Sequence, residues 1–356
     1  MGRVRLKKGG KKMEETGEKK QYVTIKDIAE YVGVSTATVS LALSRNPRIP
    51  DETREKIIDA AKKLGYRPST LARGLVKNKT YTIALVIPQI KRIFVQAYFA
   101  LSVSGVYDEL TEHGYKLLLE MASYEFVRRK RYLRLFRERS IDGMIYIGST
   151  LYDTYLKEIL EEGYPFVFVG SYLPDIKIPY VTGDNFKGGY IATKHLISCG
   201  YKRIGLITGS LNVVSAVDRF KGYKKALKEN GFGFNPKFVE KGHFSEEGGY
   251  EAMKKLIKKK VDAVFAGNDL MAQGAYRAIK ESGLRIPQDI GVVGMDDLPS
   301  ASLLDPPLTT VKYPIYEMGR VGVKKLIEMS EKGIISYFEE VLPVKLIFRK
   351  STSKVR

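Results

Sequence analysis

The stretch Val23-Thr24-Ile25-Lys26-Asp27-Ile28-Ala29-Glu30-Tyr31-Val32-Gly33-Val34-Ser35-Thr36-Ala37-Thr38-Val39-Ser40 decides how the rest of the chain is read. Thr24 stands where a helix N-cap belongs, and Asp27, three residues on, completes a capping box. Ile25, Ile28, Ala29 and Val32 follow at i, i+3, i+4 and i+7, one apolar stripe on a helical face. Gly33 ends that helix, because a residue free to take positive φ lets the chain reverse. Ser35 caps a second helix, with Val39 and Leu43 pointing inward and Ala37, Thr38, Ser40 and Leu41 on its outer surface. Two short helices around a tight glycine turn imply a helix-turn-helix DNA reader, with an ordinary αα-corner as the alternative.

Charge favours the first reading. The 356-residue chain carries a formal net charge of +20, and residues 1–80, with 19 Lys/Arg against 9 Asp/Glu, hold half of that excess. A basic segment bearing this pattern is the expected footprint of phosphate-backbone binding. A Lys- and Glu-rich surface of a thermophile would also be basic. One cysteine, Cys199, excludes an intramolecular disulfide. No apolar run approaches the ~20 residues of a membrane span, and the N-terminus lacks the apolar core of a secretory signal. Together these imply a cytoplasmic protein without a membrane partner, long enough for two or three cores.

Residues 1–21 hold eight Lys/Arg and four Gly with almost no apolar side chains, so a disordered basic tail is expected there, or an upstream start ahead of Met13. Asp51 is expected to cap a third helix, with Ile57, Ile58, Ala61 and Leu64 buried and Gly65 ending it. Residues 22–67 then form one small helical domain. Residues 68–79 read as a hinge too short to be a helix unaided. From Tyr81 onward the pattern changes. Continuous apolar runs at 82–87, 115–120, 144–147, 166–169, 203–208, 263–266 and 290–295 read as strands buried on both faces. Helical patterns at 97–113, 186–200, 220–230 and 248–259 lie between them, which implies parallel sheets with covering helices. The expected fold is therefore an all-α helix-turn-helix headpiece followed by an α/β core, 80–356, of two parallel sheets side by side.

These motifs together resemble the LacI/GalR (lactose-repressor-like) family of bacterial transcriptional regulators. The matching signatures are Thr24-Ile25-Lys26-Asp27-Ile28-Ala29, Val34-Ser35-Thr36-Ala37-Thr38-Val39-Ser40, Thr53-Arg54-Glu55-Lys56-Ile57, Leu64-Gly65-Tyr66-Arg67-Pro68 and the hinge Arg73-Gly74-Leu75. Further on stand Asp218-Arg219-Phe220-Lys221-Gly222-Tyr223, Asn268-Asp269-Leu270-Met271-Ala272, and Gly294-Met295-Asp296-Asp297 followed by Pro307-Leu308-Thr309-Thr310-Val311. The resemblance implies a two-lobed core similar to periplasmic binding proteins, with lobe 1 at about 80–183 and 312–336 and lobe 2 at about 184–311 and 337–352. The chain would cross between lobes near Asp184, Val311 and Phe338. It also implies a repressor acting as a homodimer on pseudo-palindromic operator DNA. The chain stops soon after Ser351 without the heptad segment of tetrameric relatives, so a dimer is expected.

By the same resemblance, the second helix lies in the major groove and turns Thr36, Ala37, Ser40 and Leu41 to base edges. Leu41 departs from the polar or basic residue that relatives often carry there. Thr24, Ser35, Thr38, Asn46 and Tyr66 would contact phosphates. Leu75 would wedge into the minor groove at the operator centre, and Arg73 would reach the backbone or the groove.

A small-molecule effector would bind between the lobes at the strand carboxyl ends. Arg219, expected to open the helix after a glycine-containing loop, would grip the ligand with two donors. Asp296 and Asn268 follow predicted strands and suit hydroxyls or amides. Phe94 and Phe244 stand where relatives place aromatics, and Ser171 and Ser215 complete the expected set. Lys91 and Arg92 occupy positions where sugar-binding relatives carry an acidic or amide pair, and Gly170-Ser171-Tyr172 is read as lacking the acidic or large aromatic residue of purine-binding relatives. A sugar or sugar derivative, with an anionic group as one form, is the expected effector; a nucleobase or a protein co-repressor is the alternative. A transport-type sugar-binding protein shares the core fold but has no use for the basic headpiece. An enzyme is the other rival. The chain has no Gly-x-x-x-x-Gly-Lys loop, no Gly-x-Ser-x-Gly elbow and only three histidines, and His195 with Cys199 cannot make a triad or metal site alone. No cofactor and no metal are expected.

Overall fold

A computed structural model describes residues 23–44, 46–66 and 79–352. The chain divides into two compact units, 1–78 and 79–356.

In the first unit, helices α1 (Ile25–Val32), α2 (Thr36–Leu43) and α3 (Asp51–Leu64) share one core. Ile28, Ala29, Val39, Ala42, Ile49, Ile57, Ala60 and Ala61 are buried in it, and Val32, Leu43 and Leu64 pack at its margin. Leu43 points inward as expected and packs against this core beside buried Ala42, whereas Ile58, expected to be buried, is only half-buried and Ala60 is buried instead. Pro50, not Asp51, is the N-cap of α3, with φ −55° and ψ 145°. A proline already holds the extended geometry a cap needs, and Asp51 keeps its favourable place near the positive helix end as the first helical residue. The loop before α3 is tied down by Arg54, whose Nη2 donates to Ile49 O at 2.7 Å.

The second unit starts with β1 (Thr82–Pro88), α4 (Ala97–Glu112), β2 (Lys116–Ala122), α5 (Tyr124–Arg128), α6 (Arg131–Arg137), β3 (Gly143–Ile147), α7 (Lys157–Glu161), β4 (Phe166–Val169) and β5 (Tyr180–Gly183). It continues with α8 (Asn185–Ser198), β6 (Ile204–Thr208), α9 (Val214–Glu229), β7 (Val239–Lys241), α10 (Glu246–Lys258), β8 (Ala263–Ala266), α11 (Asp269–Glu281), β9 (Gly291–Asp296) and β10 (Thr309–Lys312). Helix α12 (Ile315–Lys332) and strands β11 (Glu339–Leu342) and β12 (Lys345–Ile347) close it.

Two sheets result, ordered β11-β5-β4-β3-β1-β2 and β12-β10-β9-β8-β6-β7 among the described residues. The first is parallel throughout, and the second is parallel except for β12, which runs antiparallel to β10. The middle of β1, Ile83 to Ile87, is fully buried, as the unbroken apolar run required. The expected third crossing near Phe338 is displaced. β11 pairs in register with β5, so the chain leaves the first sheet only after Leu342. Glu339, Glu340 and Val341 alternate too weakly to declare a strand, and only the neighbouring edge shows where they dock. No helix among the described residues is long and apolar enough to cross a membrane.

One helix contact bears on function. A Cβ at Gly189 of α8 would come within 2.1 Å of Arg219 O, and a Cβ at Gly222 of α9 within 2.1 Å of Phe186 O. Glycine at both places lets the two backbones touch, which brings Arg219 beside Asn185 at the start of α8.

Candidate functional site

The headpiece presents one face. Gly33 takes φ 79°, and Val34 N–H donates to Ala29 O at 3.0 Å, so the chain turns sharply out of α1. Thr24 N–H and its hydroxyl both donate to Asp27 Oδ2, at 2.8 and 2.7 Å. Ser35 Oγ accepts from Thr38 N–H at 3.1 Å and lies 2.9 Å from Thr38 Oγ1. These bonds fix the start of each helix. Thr36, Ala37, Ser40 and Leu41 are exposed at i, i+1, i+4 and i+5, together on one side of α2. Asn46 turns inward on its own loop, its Oδ1 accepting from Arg48 N–H at 3.0 Å. Tyr66 packs against the headpiece core, where burial pushes its phenol up. Arg73 and Leu75 lie outside the described residues.

In the core, Arg219 sits in the second turn of α9 rather than opening it, because the helix begins six residues earlier than the 220–230 pattern indicated, at Val214. Polar Ser215 and Asp218 interrupt the apolar periodicity there, yet both are buried. Arg219 Nε donates to Asn185 Oδ1 at 2.9 Å and Nη1 donates to Gly267 O. Its guanidinium lies 5.1 Å from the Tyr313 ring centroid. Nη2 stands 3.8 Å from Asp296 Oδ1, close enough for attraction but too far for a hydrogen bond.

Asp296, at the end of β9, is 4% exposed, and its Oδ1 has no hydrogen-bond partner. Burial pushes its carboxyl up; Arg219 opposes that and the nearby Asp269 adds to it. The pair offers a ligand a guanidinium donor edge and an acceptor oxygen a few ångströms apart. An orphaned buried acceptor costs free energy until a donor reaches it.

The structure brings the other expected residues together unevenly. Asn268 caps α11, its Oδ1 accepting from Met271 N–H at 2.9 Å. The outer end of the Phe244 ring packs against Gly209, where a Cβ would come within 2.1 Å of it. Ser171 is buried against Ser149, with 2.7 Å between the hydroxyls. Phe94 is half exposed in a short 3-10 turn, outside the hydrogen-bonded cluster.

Four residues escaped the sequence reading. Asn185 links Arg219 to the crossing strands, its Nδ2 donating to Tyr313 Oη at 3.1 Å and to Thr182 Oγ1 at 3.3 Å. Tyr313 carries the guanidinium. Tyr98 puts its hydroxyl where a Cβ at Gly170 would come within 2.4 Å, and burial, with Tyr313 and Asp296 nearby, pushes it up. Tyr172 is itself an aromatic residue, so the reading of 170–172 as lacking one does not hold; its ring stacks on Tyr180 and its hydroxyl donates to Asp218 Oδ2 at 2.7 Å. The available signal was the Asp184-Asn185 pair between a strand and a helix, with Tyr313 just before Pro314. A depression of about 370 Å³ beside Asn185 is bounded by Tyr172, Tyr180, Phe186, Asp218 and Glu339. Neither Arg219 nor Asp296 lines it.

A helix-turn-helix unit with an exposed face on its second helix, in one chain with a two-sheet α/β unit that holds a charged cluster at its strand ends, defines a ligand-responsive DNA-binding regulator. The family model "Bacterial regulatory proteins, lacI family" matches residues 24–69, and "Periplasmic binding protein-like domain" matches 193–352. The HTH-type transcriptional repressor PurR of Haemophilus influenzae (strain PittEE) is 34% identical over 337 residues, 93% of this chain and 99% of its own. Among solved structures, the transcriptional regulator CelR–cellobiose complex shares 32% identity with TM-score 0.71, covering 92% of this chain and 99% of that one. The Lac repressor dimer bound to operator and the anti-inducer ONPF shares 28% with TM-score 0.81, covering 93% and 99%. The chain belongs to the LacI family and is a transcription regulator with a DNA-binding domain and an effector-binding domain.

Proposed function

We propose that the protein is a transcriptional repressor, acting as a homodimer on pseudo-palindromic operator DNA, whose operator affinity is set by a sugar or sugar derivative held between the lobes at Arg219 and Asp296. The observation that carries this reading is the unpartnered Asp296 Oδ1 facing the Arg219 guanidinium in a buried setting. A carbohydrate hydroxyl supplies the missing donor and accepts from the guanidinium at once. Phe244, Asn268, Ser171, Ser215 and Phe94 surround the ligand in this account. Lys91 and Arg92, exposed in the loop after β1, favour an anionic derivative. Cellobiose and ribose, bound in two related structures, belong to the same chemical class.

On the headpiece, Thr36, Ala37, Ser40 and Leu41 read base edges, while Thr24, Ser35, Thr38, Asn46 and Tyr66 meet phosphates. Leu119 and Met121 alternate outward on the edge strand β2 beside the exposed Tyr124, an apolar edge that a second copy would cover. Binding rather than catalysis fits the one cysteine: burial pushes the Cys199 thiol up, the wrong direction for a nucleophile.

Calorimetry against neutral sugars, phosphorylated sugars, guanine and hypoxanthine tests the effector class. Binding by a sugar, lost in Asp296→Asn, supports the reading. Tight guanine or hypoxanthine binding ends it and favours the nucleobase alternative, to which Tyr172 would lend a stacking face.

A further inference from the structure

Asp269 is fully buried at the first position of α11, yet it is no part of the N-cap, which Asn268 supplies. Both of its oxygens are directed elsewhere. Oδ1 accepts from Thr310 Oγ1 of β10 at 2.6 Å, and Oδ2 accepts from Leu298 N–H, just beyond β9, at 2.8 Å. The space for this carboxylate is made by Gly294, where a Cβ would lie 2.3 Å from Oδ1. Between β9 and Leu298 the backbone is strained. Asp296 takes φ 127° and Asp297 φ 58°, two successive side-chain-bearing residues in a region that favours glycine. Such a turn persists only where its surroundings hold it.

We propose that Asp269 is a positioning residue for the effector contact made by Asp296: by tying Leu298 N–H to Thr310, it clamps the strained 296–297 turn and fixes where the Asp296 carboxylate meets the ligand. This rests on the reading of Asp296 as an effector contact. The clamp is shared on the outer side by Arg349, whose Nη2 donates to Asp297 Oδ1 at 2.6 Å. It is shared at the backbone by Tyr313 N–H, which donates to Asp296 O at 3.3 Å. Among the described residues, Asp269 alone reaches across from β10 to the residue that follows the turn.

The same placement gives the clamp an electrostatic signature. The groups around Asp296 are Arg219 on α9, Tyr98 on α4, Tyr313 after β10, Asp269 on α11 and, one residue on, the Asp297–Arg349 pair. Asp269 is the negative group whose field raises proton affinity at Asp296. A neutral side chain of equal size at 269 therefore lowers it.

The test uses the full chain with aspartate labelled at the carboxyl carbon, the Asp296 resonance being assigned by its loss in Asp296→Asn. In Asp269→Asn, the Asp296 titration midpoint falls below that of the wild type. In Asp269→Leu, which leaves Leu298 N–H without its acceptor, amide exchange over 296–300 becomes about tenfold faster. Both readouts must move: an Asp296 midpoint equal to wild type, or unchanged exchange over 296–300, overturns the proposal. Should Asp269→Asn fail to fold, Thr310→Val, which cuts the tie to β10, is judged by the same exchange comparison. Neither measurement uses an effector, so failure here leaves the effector reading standing. That reading falls separately if Asp296→Asn binds a sugar as wild type does.

Discussion

The hydroxyl of Tyr172 donates to Asp218 Oδ2 at 2.7 Å, joining the loop after the fourth strand of the first lobe to the neighbour of Arg219 on the second. Residues that touch across the lobes bias how often the lobes are closed, and a ligand that prefers the closed arrangement gains from every such contact.

Tyr172→Phe removes only that bond. Effector affinity should fall about threefold to tenfold, the net worth of one ordinary hydrogen bond at about 1 kcal/mol, with the urea midpoint nearly unchanged. Burial, with the Asp218 carboxylate beside it, holds the Tyr172 phenol above its usual value, so the bond persists through neutral pH. Calorimetry of the two proteins gives the ratio, and equal affinities would remove this contact from the coupling.

Arg219→Lys keeps a charge but loses the planar fork that bonds Asn185 and Gly267 together. Effector affinity should fall by about a hundredfold, in line with ~3 kcal/mol for charged hydrogen bonds left unmade. Near-wild-type affinity would show that the guanidinium is a structural strut between α8 and α9.

Stability should carry the mark of the buried carboxyls. Burial raises the proton affinity of Asp269 and Asp296 in the folded chain above that of ordinary aspartates. The fold therefore binds their protons more tightly than the unfolded chain does. Their contribution is full below the ordinary aspartate range, about pH 4, and is lost as pH rises through the raised folded values. Between about pH 5 and 8, urea midpoints of the wild type should decline more than those of Asp296→Asn. Parallel profiles would place the Asp296 carboxyl near its ordinary proton affinity.

Gly222→Ala puts a methyl group against the Phe186 carbonyl, at a helix crossing with no room to yield. A loss of about 1–3 kcal/mol in urea denaturation is expected, as for other overpacked sites. Arg219 moves with its helix, so effector affinity should fall as well.

On the headpiece, Leu41 is exposed and touches none of the buried core. Leu41→Ala should leave stability within about 0.5 kcal/mol, as surface changes do, while altering which operators a random-sequence selection recovers. Ser35→Ala, in contrast, removes a cap and should cost about 1 kcal/mol of headpiece stability.

The parts legible in sequence were those where one local rule dominates. The capping pairs at Thr24 and Ser35, the turn at Gly33 and the long buried runs of β1, β3, β4, β8 and β9 announce themselves through periodicity or turn chemistry. β7 and β10 to β12 do not, because charged or polar residues interrupt their short apolar patterns and only the pairing neighbour defines them. Arg219, Asp296 and Asn268 were singled out through family motifs. Asn185, Tyr313, Tyr98 and Tyr172 act through partners up to 131 residues away, such as Tyr313 with Thr182, and look like ordinary polar or aromatic residues in a linear chain. Asp269 was quoted within a motif, but its two hydrogen bonds, from Thr310 of β10 and from Leu298 just beyond β9, exist only once the sheet is assembled.

The central claim, that a ligand held at Arg219 and Asp296 sets operator affinity, is tested most directly by fluorescence anisotropy on a selected operator. Wild type and Asp296→Asn would be compared with and without the sugar found by calorimetry. The account predicts equal operator affinity for both proteins without sugar, a change of about tenfold or more for wild type with sugar, and none for the variant at that concentration. A sugar response that survives intact in Asp296→Asn would contradict it.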